Sequence, residues 1–115
     1  MNDDRPERVR ELYEAFASGD RAAVEALLTD DFRFSSPVDP DLDRAGYFER
    51  CWPGSGQGQR FDFVRIVPTG EEVIVTYEMT GRDGTRGRNT EVLTFAGGRI
   101  RRAEVYFGWD LTSGT

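Results

Sequence analysis

The carboxyl group of Glu91 is the side chain of this sequence with the clearest capacity for chemistry. Residues 86–96 alternate as a strand does, with two possible inward registers, and the register Asn89, Glu91, Leu93, Phe95 is the more apolar toward its end. A carboxylate on an apolar wall must be partnered, protonated or close to a cavity mouth. Two interpretations follow: a group that faces a ligand, or an ion pair with Arg65, Arg88 or Arg101.

Histidine is absent from the sequence, which excludes Ser-His-Asp and Cys-His nucleophile activation and imidazole metal sites. Any catalysis must therefore use carboxylates, tyrosine, arginine or backbone dipoles, and no metal or cofactor is predicted. Cys51 is the lone cysteine and is interpreted as a small buried apolar side chain. Clustered acids at Asp39, Asp41 and Asp43 are interpreted as solvated, although any one of them could reach over the rim of a pocket.

The charge of the chain argues against two classes of partner. Its formal net charge is −6, so nucleic acid and anionic membrane surfaces are expected to repel it. No apolar run approaches the about 20 residues that span a bilayer, and the first residues are acidic where a signal peptide is basic. The prediction is a cytoplasmic protein that binds neither nucleic acid nor membrane.

The first half of the chain is predicted to hold three helices and one strand. Apolar residues recur at the spacing of a buried helical stripe from Val9 to Phe16, and Ser18-Gly19-Asp20 ends that helix and caps the next. The predicted elements are helices over 5–17 and from residue 21, a strand over 31–36, and a third helix from residue 42 or 43 to residue 51 or 52. The glycine-rich segment 54–58 is interpreted as a flexible lid or linker.

The second half is predicted to be a four-strand antiparallel meander over 60–68, 71–82, 86–96 and 99–109, joined by short glycine-containing connections. The predicted fold class is α+β, a cone-shaped curved antiparallel sheet wrapped around the N-terminal helices and enclosing one small apolar molecule. The predicted inner wall is Val73, Val75, Tyr77 and Met79 on one strand and Ala103, Val105, Phe107 and Trp109 on the last. The opposite face, with Arg102, Glu104 and Tyr106, is left to solvent or to a second subunit.

This order of elements resembles the NTF2-like superfamily, in particular its SnoaL-like and ketosteroid-isomerase-like branch. The resemblance covers nearly the whole chain, taken as one domain over 1–115, and is carried by residues 12–20, 26–32, 36–37, 92–100 and 104–107. It implies an NTF2-like or cystatin-like α+β barrel with a conical pocket for polyketides, steroids, terpenoid epoxides or similar molecules, often in a homodimer formed through the sheet. Such patterns are specific for the fold and say little about the reaction.

The resemblance also implies roles for single positions. Ser36, before Pro37, stands where the steroid isomerases carry their aspartate base, and Leu12 stands at their oxyanion-holding tyrosine, with Tyr13 one residue off and turned about 100° around the helix. Glu91 matches their protonated aspartate. Steroid isomerisation by that mechanism is therefore not expected, and no acid lies at the inner positions of the last strand for the Asp-Arg-Asp arrangement of epoxide-hydrolysing relatives.

Two functional hypotheses stay open. One is an isomerase, cyclase or hydrolase of a hydrophobic polyketide-like or steroid-like substrate, with Glu91 as acid or base and Asn89 or Tyr77 donating a hydrogen bond. The other is a non-catalytic ligand-binding or assembly module. Both predict a homodimer through the outer sheet face, and ligand contacts from Tyr13, Ser36, Trp52, Phe63, Tyr77, Asn89, Phe107 and Trp109.

Overall fold

The N-terminal part of the chain forms two helices joined by a tight turn. In the computed structural model, which describes residues 3–112, α1 spans Arg5–Ser18 and α2 spans Arg21–Leu27. The Asp20 carboxylate caps α2 by accepting a hydrogen bond from the Ala23 N–H at 3.1 Å. Both predicted helices are confirmed. Within the described part of the chain, none of the helices has the length and apolar character needed to cross a membrane.

The glycine-rich segment 54–58 is fixed to the end of α1, in contrast to the flexible lid or linker predicted for it. The Gly56 N–H donates to the Phe16 carbonyl at 2.8 Å, and the Gly58 N–H donates to the Ala17 carbonyl at 3.0 Å. The Ala17 carbonyl lies where intrahelical donors run out, and the Phe16 carbonyl accepts its bond in addition to one from the Gly19 N–H at 3.2 Å. Gly19, with φ 76°, permits the close approach, because a Cβ at this position would lie 3.2 Å from the Gly56 Cα.

The stretch between the α-hairpin and the meander begins with β1, Leu28–Ser35, followed by the two-residue strand β2, Leu42–Asp43, and by α3, Arg44–Arg50. A short 3-10 turn, Trp52–Gly54, comes after α3. The third helix therefore begins after the predicted residue 42 or 43, since Leu42 pairs with Phe34 of β1. Asp43 instead caps the helix, its carboxylate accepting from the Gly46 N–H at 2.7 Å.

The meander consists of β3, Arg60–Thr69; β4, Glu72–Thr80; β5, Arg86–Ala96; and β6, Arg99–Asp110. Its strands are antiparallel neighbours, as predicted, and the order across the six-stranded sheet is β2-β1-β6-β5-β4-β3. Two features differ from a wholly antiparallel barrel. β1 pairs with β6 in parallel, and the curved sheet does not close.

One face of the sheet is the inner wall, and its register on β4 and β5 is the predicted one. Val73 pairs with Leu93, Val75 with Glu91, and Tyr77 with Asn89. Side chains that pair directly share a face, so Glu91 is carried inward with its apolar neighbours. The buried residues of this wall are Val73, Val75 and Tyr77 on β4 and Glu91, Leu93 and Phe95 on β5.

A β-bulge near the end of β6 corrects the placement predicted for Trp109. Asn89 pairs with Phe107 whereas Arg88 pairs with Trp109, so Gly108 is an extra residue without a partner on β5. One extra residue reverses the alternation of faces. Trp109 therefore lies on the outer face, 63% exposed, with the Arg88 guanidinium 4.5 Å from its ring centre.

Candidate functional site

A cavity of about 280 Å³ lies between the inner wall of the sheet and the helices α1 and α3. Most of its lining is apolar or aromatic. The polar groups are few, which is the usual composition of a small-molecule pocket. Six residues predicted as site residues line it: Tyr13, Ser36, Tyr77, Asn89, Glu91 and Phe107. Lining residues outside that prediction include Leu12, Phe16, Phe34, Asp39, Tyr47, Phe61 and Met79.

Glu91 is buried on the wall of the cavity and is 9% exposed. Its Oε2 accepts a hydrogen bond from the Tyr77 hydroxyl at 2.7 Å. Among residues 3–112, none of the ion pairs includes Glu91. Arg65 donates to the Thr76 hydroxyl and Arg88 to Glu78. The ion-pair interpretation of Glu91 is therefore wrong, and a neutral hydroxyl is its partner.

Burial in these surroundings raises the pKa of the Glu91 carboxyl, and the hydrogen bond from Tyr77 opposes that rise without cancelling it. Burial also raises the pKa of the Tyr77 hydroxyl, and the neighbouring Glu91 charge adds to the effect. The protonated forms of both groups are favoured. On this part of the wall the Tyr77 hydroxyl donates to Glu91, and burial favours the protonated, hydrogen-bond-donating form of that carboxyl.

Tyr13 supplies the second buried hydroxyl of the site. The side chain is 6% exposed, and its hydroxyl is buried with no hydrogen-bond partner in the part of the chain that the structure describes. The hydroxyl lies close to the Glu91 carboxyl, outside hydrogen-bond geometry with that group. Aromatic contacts fix the ring, with centroids 5.0 Å from Tyr77 and 5.1 Å from Phe61. An unpaired buried hydroxyl costs about 1–3 kcal/mol, so Tyr13 is a donor available to a ligand.

Ser36 and Asn89 line the cavity, but the oxygen of each side chain already binds the backbone. The Ser36 Oγ accepts hydrogen bonds from the N–H groups of Val38 and Asp39 at 3.3 and 3.1 Å. The Asn89 Oδ1 accepts from the Gly108 N–H at 3.2 Å. Ser36 therefore shapes the turn after β1, and Asn89 holds the β6 bulge in place.

Asp39 is a further functional candidate, one of the three clustered acids interpreted as solvated but able to reach over the rim of a pocket. Its side chain is 16% exposed, lines the cavity and forms an ion pair in which Oδ1 lies 3.0 Å from the Arg50 Nε. The turn brings it there: Ser36 and Asp39 exchange backbone hydrogen bonds at 3.0 and 3.2 Å. A Ser-Pro turn with an acid three residues after the serine is the one sequence signal that could have selected Asp39 from its acidic neighbours.

Three residues predicted to contact ligand lie away from the cavity wall. Trp52 packs on Phe16, with ring centroids 5.8 Å apart, and Phe63 packs on Tyr13 at 5.4 Å. Trp109 lies on the outer face because of the bulge. Trp52 and Phe63 therefore pack against lining residues, whereas Trp109 lies outside the site.

Cys51 lines the cavity and is half-buried. Burial raises the pKa of its thiol to about 11, with the Asp39 charge adding to the effect. A thiol in that state is a poor nucleophile at neutral pH. In the described part of the chain, no group of three or more potential metal ligands is brought together.

Several solved structures share this architecture. An NTF2-like protein of unknown function from Burkholderia pseudomallei is 25% identical with a TM-score of 0.72, covering 93% of this chain and 92% of its own. A candidate ketosteroid isomerase from Kribbella flavida is 19% identical with a TM-score of 0.74, covering 89% and 76%. A candidate polyketide cyclase from Streptomyces antibioticus is 21% identical with a TM-score of 0.73, covering 90% and 91%.

At these identities the structural likeness establishes the fold. No curated protein matches the sequence significantly. The sequence model of the SnoaL-like domain family matches residues 9–103, which include α2, α3, the whole of β1 to β5 and most of α1. The chain therefore belongs to the SnoaL-like domain family and has the NTF2-like fold.

Proposed function

We propose that this protein binds a small hydrophobic carbonyl compound of polyketide-like or steroid-like character, and that Glu91 is the principal polar group acting on it. One observation carries the proposal. Among residues 3–112, the buried Glu91 carboxyl is hydrogen-bonded only to Tyr77, and the Tyr13 hydroxyl beside it has no hydrogen-bond partner on the wall of an apolar cavity. Tyr13 and protonated Glu91 are both hydrogen-bond donors. The ligand atom that fits between them is an acceptor, such as a carbonyl oxygen.

The same arrangement supports enolisation, the step that isomerases of enones and aldol-type cyclases share. Asp39, which lines the cavity and is ion-paired with Arg50, would act as the base and remove a proton from the carbon next to the carbonyl. The electron pair of that C–H bond becomes the new C=C bond, and the carbonyl π pair moves onto oxygen. Tyr13 and Glu91 would stabilise that oxygen. Asp39 would then either deliver the proton to another carbon of the enolate, which isomerises the substrate, or exchange it with solvent before returning it, which replaces the α-proton by deuterium in D₂O.

The test uses α-tetralone, a two-ring ketone, and its hydrocarbon counterpart tetralin. We expect wild type to bind the ketone more tightly, and Tyr13→Phe to weaken ketone binding about tenfold, or about 1.4 kcal/mol, without changing tetralin binding, as measured by calorimetry. Exchange of the ketone α-protons in D₂O, followed by NMR, should be lost in Asp39→Asn and strongly slowed in Glu91→Gln. Equal affinity of wild type for ketone and hydrocarbon would refute carbonyl recognition.

A second candidate function, a non-catalytic ligand-binding or assembly module, is favoured by the outer face of the sheet. Tyr106 and Trp109 are 55% and 63% exposed there, and exposed aromatic side chains are typical of protein interfaces. This candidate predicts a homodimer by sedimentation velocity that Trp109→Ser weakens, together with ketone binding but no proton exchange in wild type. Exchange that depends on Asp39 would exclude the non-catalytic form, and a monomer at every concentration would exclude the assembly.

A further inference from the structure

Two apolar side chains at the mouth of the cavity are largely exposed to solvent. Val38 is 66% exposed and Phe107 is 57% exposed, yet both also line the cavity. Val38 lies in the turn after β1, where its N–H is bonded to the Ser36 Oγ. Phe107 lies on β6 beside the bulge. We call these two residues the mouth pair.

The volume of the cavity limits how much of a ligand it can enclose. An apolar protein cavity of about 150 Å³ accommodates one benzene ring, and this cavity is about 280 Å³. It therefore has room for about two rings. A four-ring compound bound with its carbonyl at Tyr13 would leave about half of its apolar skeleton outside.

The polar groups fix which end of such a ligand is inside. The donors Tyr13 and Glu91 are buried, whereas the mouth pair is exposed. A carbonyl oxygen satisfied by the buried donors directs the rest of the molecule along the apolar walls toward the opening. The apolar surface of the ligand that emerges there would contact Val38 of the turn after β1 and Phe107 of β6 instead of water.

We infer that the mouth pair is a specificity-determining surface that contacts the part of a long apolar carbonyl compound projecting from the cavity. This inference rests on the proposed function. The buried donors and apolar walls recognise the carbonyl oxygen and up to two rings. The mouth pair discriminates between ligands by their length. The molecule that contacts the mouth pair is the same ligand that fills the cavity, because Val38 and Phe107 are themselves part of the cavity lining.

The test compares two ketones, α-tetralone and the four-ring 4-androstene-3,17-dione, binding to four proteins by calorimetry or fluorescence. Phe107→Ser and Val38→Ser should each weaken binding of the four-ring ketone about fivefold or more and change tetralone binding by less than twofold. Val64→Ser is the matched control, because Val64 is 41% exposed on β3 and does not line the cavity. It should change neither affinity.

Four other outcomes would each contradict the mouth-pair inference in a different way. If the two variants weakened the binding of both ketones equally, the mouth pair would contact the buried rings. If wild type bound tetralone tightly and did not bind the four-ring ketone, no ligand would project from the mouth. Dissociation of an oligomer on Phe107→Ser would mean that a second copy covers the mouth. If wild type bound neither ketone, the proposed function would fail, and this inference with it.

Discussion

Replacing Gly108 by alanine is expected to lower the free energy of unfolding by about 3 kcal/mol. An alanine Cβ at this position would fall 2.2 Å from the Arg88 carbonyl oxygen, and a backbone atom cannot move aside as a flexible side chain can. The bulge would have to open. Urea unfolding followed by tryptophan fluorescence measures the loss.

The bulge also holds Asn89 and Phe107 at the cavity, so the alanine variant should bind ketones less tightly even under conditions in which it is folded. Gly87→Ala is the matched control on β5, the strand paired with β6. Its Cβ would meet the Trp109 carbonyl oxygen at 3.4 Å, an ordinary contact, and its stability should change by about 0.5 kcal/mol or less. Equal stability of the two variants would show that the bulge does not depend on Gly108.

The second large effect is a change in how stability depends on pH when Glu91 is replaced by glutamine. Burial raises the pKa of folded Glu91 above its ordinary value of 4.5. The folded protein therefore keeps a proton that the unfolded chain releases. The stability contributed by this proton is fully present below pH 4.5 and decreases as the pH rises through the folded pKa, by up to about 1.4 kcal/mol per pH unit.

Glu91→Gln has no such proton to lose. The difference in free energy of unfolding, wild type minus Glu91→Gln, should therefore fall as the pH rises from 4.5 and become constant once folded Glu91 is ionised. Exposed pairs such as Arg33 with Asp41 titrate equally in both proteins and cancel. Urea unfolding from pH 4.5 to 8 measures the difference, with exposed Glu72→Gln as control; parallel profiles for wild type and Glu91→Gln would contradict the burial of Glu91.

Much of this fold could be predicted from the sequence, because the alternation of buried and exposed positions in a long strand follows from whether each side chain is apolar or polar. The inward register of Glu91 followed from its apolar neighbours Leu93 and Phe95. The position of Trp109 did not, since a single extra residue at Gly108 reverses the faces. That bulge depends on the backbone of a strand some twenty positions away in the sequence, which local alternation does not reveal.

The site was less predictable than the fold, for a related reason. Helical spacing placed Tyr13 on the buried stripe, but only the packing of α1 against the sheet shows that its hydroxyl stands by Glu91 with no hydrogen-bond partner among the described residues. Asp39 depended on the turn built by Ser36 and on Arg50 from α3. Both are tertiary contacts, and composition alone could not distinguish Asp39 from the neighbouring acids.

Titration of the Glu91 carboxyl itself decides whether this group is a buried proton carrier on the cavity wall. Side-chain carboxyl ¹³C NMR, with the Glu91 signal assigned by its absence in Glu91→Gln, follows that single group across pH. The expected result is a Glu91 midpoint well above 4.5, shifted further upward in Tyr77→Phe because an opposing hydrogen bond is removed. A midpoint at or below the ordinary glutamate value would contradict the account.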